Sequence, residues 1–178
     1  YSHPRHVLFP DDQELRLINT IDEKKEALRN TDLQNFVVHK FTKEFSRTKS
    51  VNFIRDVLVN KLNMKYMVVG FNHHFGKNRE GTYDNLLELS ELYDFRLEKV
   101  EPQDVDGVIL SSTKIRNAIK NGDIKQANSY LCCNFSISGK VIQGNKIGSS
   151  IGFPTANIKI DNQWKILPAD GVYAVKVY

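Results

Sequence analysis

The chain has 178 residues, 40% hydrophobic and 26% charged, a composition ordinary for a globular protein and enough for one sizeable core plus a small second one. Its net charge of +4, from 25 basic and 21 acidic residues, suits phosphate-bearing small molecules and is too diffuse for a nucleic-acid partner. No window is long enough to span a membrane and no secretory leader precedes the first motif. The adjacent pair Cys132 and Cys133 encloses no loop for a disulfide to staple, which fits a cytoplasmic setting.

In chain order, Asp22 to Arg29 reads as a short helix, with Ala27 and Leu28 apolar among charges. Asn35 to His39 reads as a buried strand. Val51 to Leu62 is the clearest helix: Phe53, Ile54, Val57, Leu58 and Leu62 recur at spacings that make one apolar face. Ser50 is the expected cap, with Asn52 competing. Tyr66 to Gly70 is the next strand, Tyr83 to Tyr93 a helix, and Phe95 to Val100 extended. Helices over Thr113–Lys120 and Asp123–Leu131 are separated by the breaker Gly122. Short, valine-rich strands alternating with helices predict a parallel sheet covered by helices. After Leu131 the pattern changes: Phe135 to Ile142 and Gly171 to Tyr178 alternate or run apolar between glycine-rich turns, without a helix. The reading is α/β, a parallel-sheet domain over 1–133 followed from 134 to 178 by the start of a small antiparallel β-barrel.

Three loops carry polar groups in patterns suited to chemistry. The run Gly70-Phe-Asn-His-His-Phe-Gly76, extending to Gly81, leaves the carboxyl end of a strand, where open α/β sheets place ligands. Its two adjacent histidines, His73 and His74, have no cysteine or carboxylate at ligand spacing and make a poor zinc site. Leu110-Ser-Ser-Thr-Lys-Ile-Arg116 opens a helix. Ser111 or Ser112 caps it, the free amides of the first turn face an anion, and Lys114 and Arg116 add charge, Arg116 as a planar fork of donors. From Gly148 to Ile158 two glycines permit a tight path, Pro154 restricts the backbone, Thr155 offers an oxygen for a hard cation, and Asn157 offers a donor and an acceptor. On local physics alone each of these is equally a plain polar turn or cap. His3, in a His-Pro pair, and His6 and His39 read as structural; the two cysteines read as packing residues.

These motifs in this order resemble the bifunctional riboflavin kinase and FAD synthetase family over nearly the whole chain. Ser2-His-Pro4, the Gly70–Gly76 loop, Arg79-Glu-Gly81 and Leu110–Arg116 are similar to its adenylyltransferase module. Gly139–Gly148, Gly152-Phe-Pro-Thr-Ala-Asn-Ile158 and Leu167-Pro-Ala-Asp-Gly-Val-Tyr-Ala-Val175 are similar to the opening of its kinase module. The resemblance implies a Rossmann-like nucleotidylyltransferase domain, ATP and Mg²⁺ as cofactors, and riboflavin, FMN and FAD as small-molecule partners. It implies Arg116, Ser112 and Thr113 as catalytic residues at the ATP phosphates, with His3, Ser111 and Lys114 beside them and Asn72 and Phe75 on the flavin. It implies Gly144, Gly148, Gly152 and Asn157 in the kinase nucleotide site and Thr155 as the metal ligand.

Departures from the family pattern are Asn72 where an aspartate is usual, Ser149 where a basic residue is common, and Cys132-Cys133 where Gly-Arg is usual. Both ends read as cut. The family's His-x-Gly-His element belongs before Tyr1, and its kinase general base belongs beyond Tyr178. The competing reading is a non-catalytic flavin- or nucleotide-binding protein that keeps the two folds. Oligomeric state has no signal in the chain.

Overall fold

The computed structural model describes residues 4–11, 14–29, 31–102, 104–105, 108–144, 147–150 and 152–178. The chain divides into two compact units, one of Tyr1–Val38 with Leu110–Tyr178 and one of His39–Ile109.

The second unit is a strand–helix–strand motif. Strand β1 (Tyr66–Gly70) pairs in parallel with β2 (Arg96–Val100), in register from Tyr66 opposite Arg96 to Gly70 opposite Val100. A helix joins them, because parallel neighbours need a crossover. That helix, Tyr83–Tyr93, starts at a reciprocal cap: the Thr82 hydroxyl accepts the Asn85 N–H, and the Asn85 side chain accepts the Thr82 N–H. It ends at Asp94, in the left-handed conformation. Leu86 and Leu89 from this helix pack with Val69, Phe95 and Ile54 as the buried core. A two-residue antiparallel pair, Asp104–Val105 with Val108–Ile109, completes this unit's strands.

The helix expected from Val51 to Leu62 has a different form. One α-helical turn, Ser50–Asn52, runs into a π-helix, Phe53–Val59, with five-residue hydrogen bonds from Asn60 N–H to Arg55 O and from Leu62 N–H to Val57 O. The wider turn shifts the apolar phase: Ile54 is fully buried, and Leu62 is carried out to 51% exposure. Neither Ser50 nor Asn52 caps it by side chain. Lys49 occupies the cap position, and the Glu80 carboxylate accepts the Ser50 N–H at 2.9 Å.

In the first unit, Pro4–Leu8 forms a short helix and Ile21–Leu28 a second. The latter has a full capping box between Thr20 and Glu23. Helices Ser112–Lys120 and Ile124–Leu131 pack through Ala118, Ile119 and Ala127 onto Ile166, with Ile18, Ile115, Ile124 and Phe135 around them. Lys140–Ile142 pairs antiparallel with Asn157–Lys159, and the four-residue helical turn Ile147–Ser150 lies between them in sequence.

Two fold expectations are corrected. Asn35 to His39 is not a strand. Phe36, Val37 and Val38 are 38%, 65% and 47% exposed, and no strand among the described residues pairs with them; a strand without a partner leaves its backbone groups unsatisfied. The barrel is also absent: no closed sheet exists among the described residues, and the antiparallel structure after Leu131 is one two-stranded pair. Gly171 to Tyr178 alternates as a strand would, yet forms none, and Val172, Val175 and Val177 lie 102%, 74% and 85% exposed. Closure requires every strand to be paired on both sides, and the terminal run finds no neighbour.

Candidate functional site

Residues marked out by sequence fall into three groups. The first lies at the carboxyl end of β1, in the second unit. Phe75 bridges to Gly81 by two backbone hydrogen bonds, which close the loop into a tight excursion. Gly81 must lack a side chain here, since a Cβ would lie 2.7 Å from the Phe75 ring. Gly76 has φ +74°, and a Cβ there would lie 2.7 Å from the Ser50 nitrogen. The loop is thereby pressed onto the start of the 50–59 helix, and Glu80 is fixed by capping it. Phe75 stacks against His73 (5.9 Å between centroids) and tilts against Phe53 (6.3 Å). Phe53 meets Phe45 edge-on, and His39 stacks on Phe45 at 4.3 Å. Aromatic surface is therefore continuous from His39 to His73. Asn72 is exposed at the start of the same loop. His73 lies at the surface, and partial desolvation of its imidazole holds it below its ordinary pKa, with the charge of neighbouring His74 adding to the effect.

The second group is the start of the Ser112–Lys120 helix. Ser111 is the cap: its hydroxyl accepts the Lys114 N–H at 3.3 Å, which leaves Ser112 and Thr113 exposed in the first turn. Arg116 turns inward. Its Nε–H donates to the Arg16 carbonyl at 2.7 Å, and burial lowers its pKa. One edge of the guanidinium is thus anchored by protein. His3 lies outside the described residues.

The third group is the loop from 144 to 157. A Cβ on Gly144 would collide with the Asn157 side chain, and one on Gly148 with the Phe153 carbonyl and the Thr155 side chain. The missing side chains are what let this loop fold on itself. The Phe153 N–H donates to the Gly148 carbonyl at 2.7 Å. Gly144, Gly148, Thr155 and Asn157 are brought together, with Thr155 and Asn157 exposed at the surface. Gly152, at φ +83°, sits at the turn with open space around it.

Several residues important to this geometry were not singled out by sequence. Glu23 and Lys165 form a buried ion pair, Nζ to Oε2 at 2.7 Å, with side chains 4% and 0% exposed. Trp164 stacks with His6 at 3.9 Å, and the Arg16 guanidinium lies 5.6 Å from the Trp164 ring. A cleft of about 310 Å³ is lined by Pro10, Arg16, Gln163 and Trp164. Only the helical spacing of Thr20 and Glu23 was a legible signal. His6 and His39 are structural as expected, each in a ring stack. The cysteines are not packing residues: both are exposed and free, and Cys132 occupies a left-handed helix terminus with φ +53°.

Comparison with known proteins places this geometry in context. The model of the FAD synthetase family matches residues 1–114, and that of riboflavin kinase matches residues 131–178. A bifunctional riboflavin kinase/FMN adenylyltransferase of Buchnera aphidicola from Acyrthosiphon pisum is 38% identical over 160 residues, which is 90% of this chain and 50% of that protein. The protein of the same name from Haemophilus influenzae is 36% identical over 176 residues, 99% of this chain and 56% of that one. The chain thus spans about half the length of these relatives. A solved structure described as a macrolide-efflux protein from Streptococcus pneumoniae superposes with a TM-score of 0.83 at 29% identity, over 96% of this chain and 55% of that one. Among the described residues no helix is long and apolar enough to cross a membrane.

Proposed function

This chain belongs to the FAD synthetase family, and on that premise we propose that the protein it comes from is a bifunctional, ATP-dependent transferase that phosphorylates riboflavin to FMN and adenylylates FMN to FAD. The observation that carries the reading is the ordered pair of modules, adenylyltransferase first and kinase second. We assign the first to residues 1–133 and the second to 134–178.

In adenylylation, an FMN phosphate oxygen attacks the α-phosphorus of ATP and pyrophosphate leaves. The protein's work is positioning and offsetting charge on the equatorial oxygens. Ser111 holds the helix start so that the amides of Ser112 and Thr113 face the phosphates, and Lys114 and Arg116 supply positive charge. The Arg16 carbonyl fixes the direction of the Arg116 fork. Phe75 offers its ring to the flavin and Asn72 an amide; an amide keeps acceptor capacity without the charge of a carboxylate.

In phosphorylation, the terminal hydroxyl of riboflavin attacks the γ-phosphorus of ATP, the bond to the bridging oxygen breaks, and ADP and the hydroxyl proton are released. Gly144, Gly148, Gly152 and Asn157 shape the nucleotide loop. Thr155 offers a single hydroxyl oxygen, which is compatible with magnesium because this ion is typically held by few protein oxygens plus phosphates and water. Thr155, pressed against the bare Gly148, presents its hydroxyl for that role. When bound, the ion neutralises phosphate charge.

The test is incubation of the full protein with riboflavin, ATP and Mg²⁺, followed by chromatography of the flavins. FMN should appear and then FAD. Retention of flavin without either product overturns the enzymatic reading in favour of a binding protein.

A further inference from the structure

The residues that hold Arg116 are themselves held by a segment far along the chain. Leu17 lies next to Arg16, whose carbonyl accepts the Arg116 Nε–H. Leu17 donates its N–H to the Trp164 carbonyl at 2.6 Å and accepts the Ile166 N–H at 2.9 Å, a parallel bridge centred on Lys165. Lys165 then closes the arrangement from within. Its ammonium donates to the Ile18 carbonyl at 2.6 Å and to Glu23 Oε2 at 2.7 Å, and it lies 4.5 Å from the centre of the Phe135 ring. The Glu23 carboxylate is fully engaged, accepting the Thr20 N–H on Oε2 and the Ser138 N–H, at 3.1 Å, on Oε1. Ile166 is 1% exposed and packs with Ala118 and Ile119, on the helix that carries Arg116. The 164–166 segment therefore grips that helix twice, by its core face and through the Arg16 carbonyl.

We propose that Lys165, paired with Glu23, is a positioning residue for the adenylylation step: it fixes the 16–18 segment against which Arg116 is aimed, so that the segment following the kinase loop completes the adenylyltransferase centre. This rests on the bifunctional reading above. A purely structural pair predicts otherwise. It would lower the stability of the fold and leave the kinetics of the folded fraction unchanged.

The experiment uses the full protein with Lys165→Met, Glu23→Gln and the double variant Glu23→Gln/Lys165→Met. The double variant leaves no unmatched charge and carries the test if either single variant fails to fold. Two readouts are followed. The first is the KM for ATP and kcat of FMN adenylylation, with riboflavin phosphorylation measured alongside. The second is the ¹⁵N-detected Arg116 Nε–H signal, assigned by its loss in Arg116→Lys. The expected result is a loss of adenylylation efficiency of about 10- to 100-fold in Lys165→Met, carried more by the KM for ATP than is the phosphorylation step. The Arg116 Nε–H should also lose its exchange protection. Unchanged adenylylation kinetics with a protected Nε–H, or equal losses in both reactions, overturns the proposal. If the unsubstituted protein makes no FAD, the bifunctional reading fails, and the Nε–H signal still decides whether Lys165 positions Arg116.

Discussion

Cys132 ends its helix in the left-handed conformation, φ +53°, where a Cβ meets the following carbonyl. The resemblance puts a glycine at this place. Cys132→Gly is therefore expected to stabilise the protein by about 0.5–1 kcal/mol, the relief of strain exceeding the added freedom of the unfolded chain; a urea midpoint checks it. His73 shows a different residue-scale effect. Partial desolvation, and after it the like charge of His74, keeps its folded pKa below 6.5. The unfolded chain then takes up the proton first, so the stability tied to this group is complete above pH 6.5 and is lost as the pH falls through the folded value. An NMR titration of the ring should show a midpoint below 6.5, moving upward in His74→Ala. A midpoint at or above 6.5 would mean the ring is more open to water than its stack on Phe75 implies.

At the scale of elements, two short pieces of chain divide the proposed chemistry. On the proposed function the helix start at Ser111–Arg116 acts in adenylylation, so Arg116→Ala should cut FAD formation by roughly 10²-fold and spare FMN formation. Equal loss in both would make its Arg16 contact a structural one. The 144–157 loop is assigned, on the same proposal, to phosphorylation. Thr155→Ala should raise the Mg²⁺ requirement of riboflavin phosphorylation and leave adenylylation of supplied FMN unchanged, with water replacing the lost oxygen in part. Gly148→Ala is expected to be harsher, because the new Cβ meets the Phe153 carbonyl, a backbone atom that cannot step aside. Titrating Mg²⁺ for both variants separates a lost ligand from a displaced loop: excess Mg²⁺ should rescue Thr155→Ala and not Gly148→Ala.

For the whole molecule, the buried Glu23–Lys165 pair ties positions 142 residues apart. Lys165→Met strands a desolvated carboxylate and should cost about 3–5 kcal/mol, while Glu23→Gln/Lys165→Met should recover most of that; denaturant unfolding of the three proteins measures the coupling. Amino-acid order by itself determined the elements with strong local signals. The β1 strand, the Tyr83–Tyr93 helix, the two helices flanking Gly122 and the glycine-bearing loops are set by periodicity, caps and turn residues within a few positions of each other. The ordered motifs likewise determined the family. Tertiary structure alone decided the rest. Asn35–His39 and Gly171–Tyr178 carry strand patterns, yet a strand exists only where another backbone pairs with it. The 53–59 segment became a π-helix, and the Ser50–Asn52 turn leading into it was capped from Glu80. The inward turn of Arg116 onto Arg16 and the burial of Lys165 against Glu23 join residues about a hundred or more positions apart. No local pattern encodes such pairs, because a charge accepts burial only when folding delivers its partner.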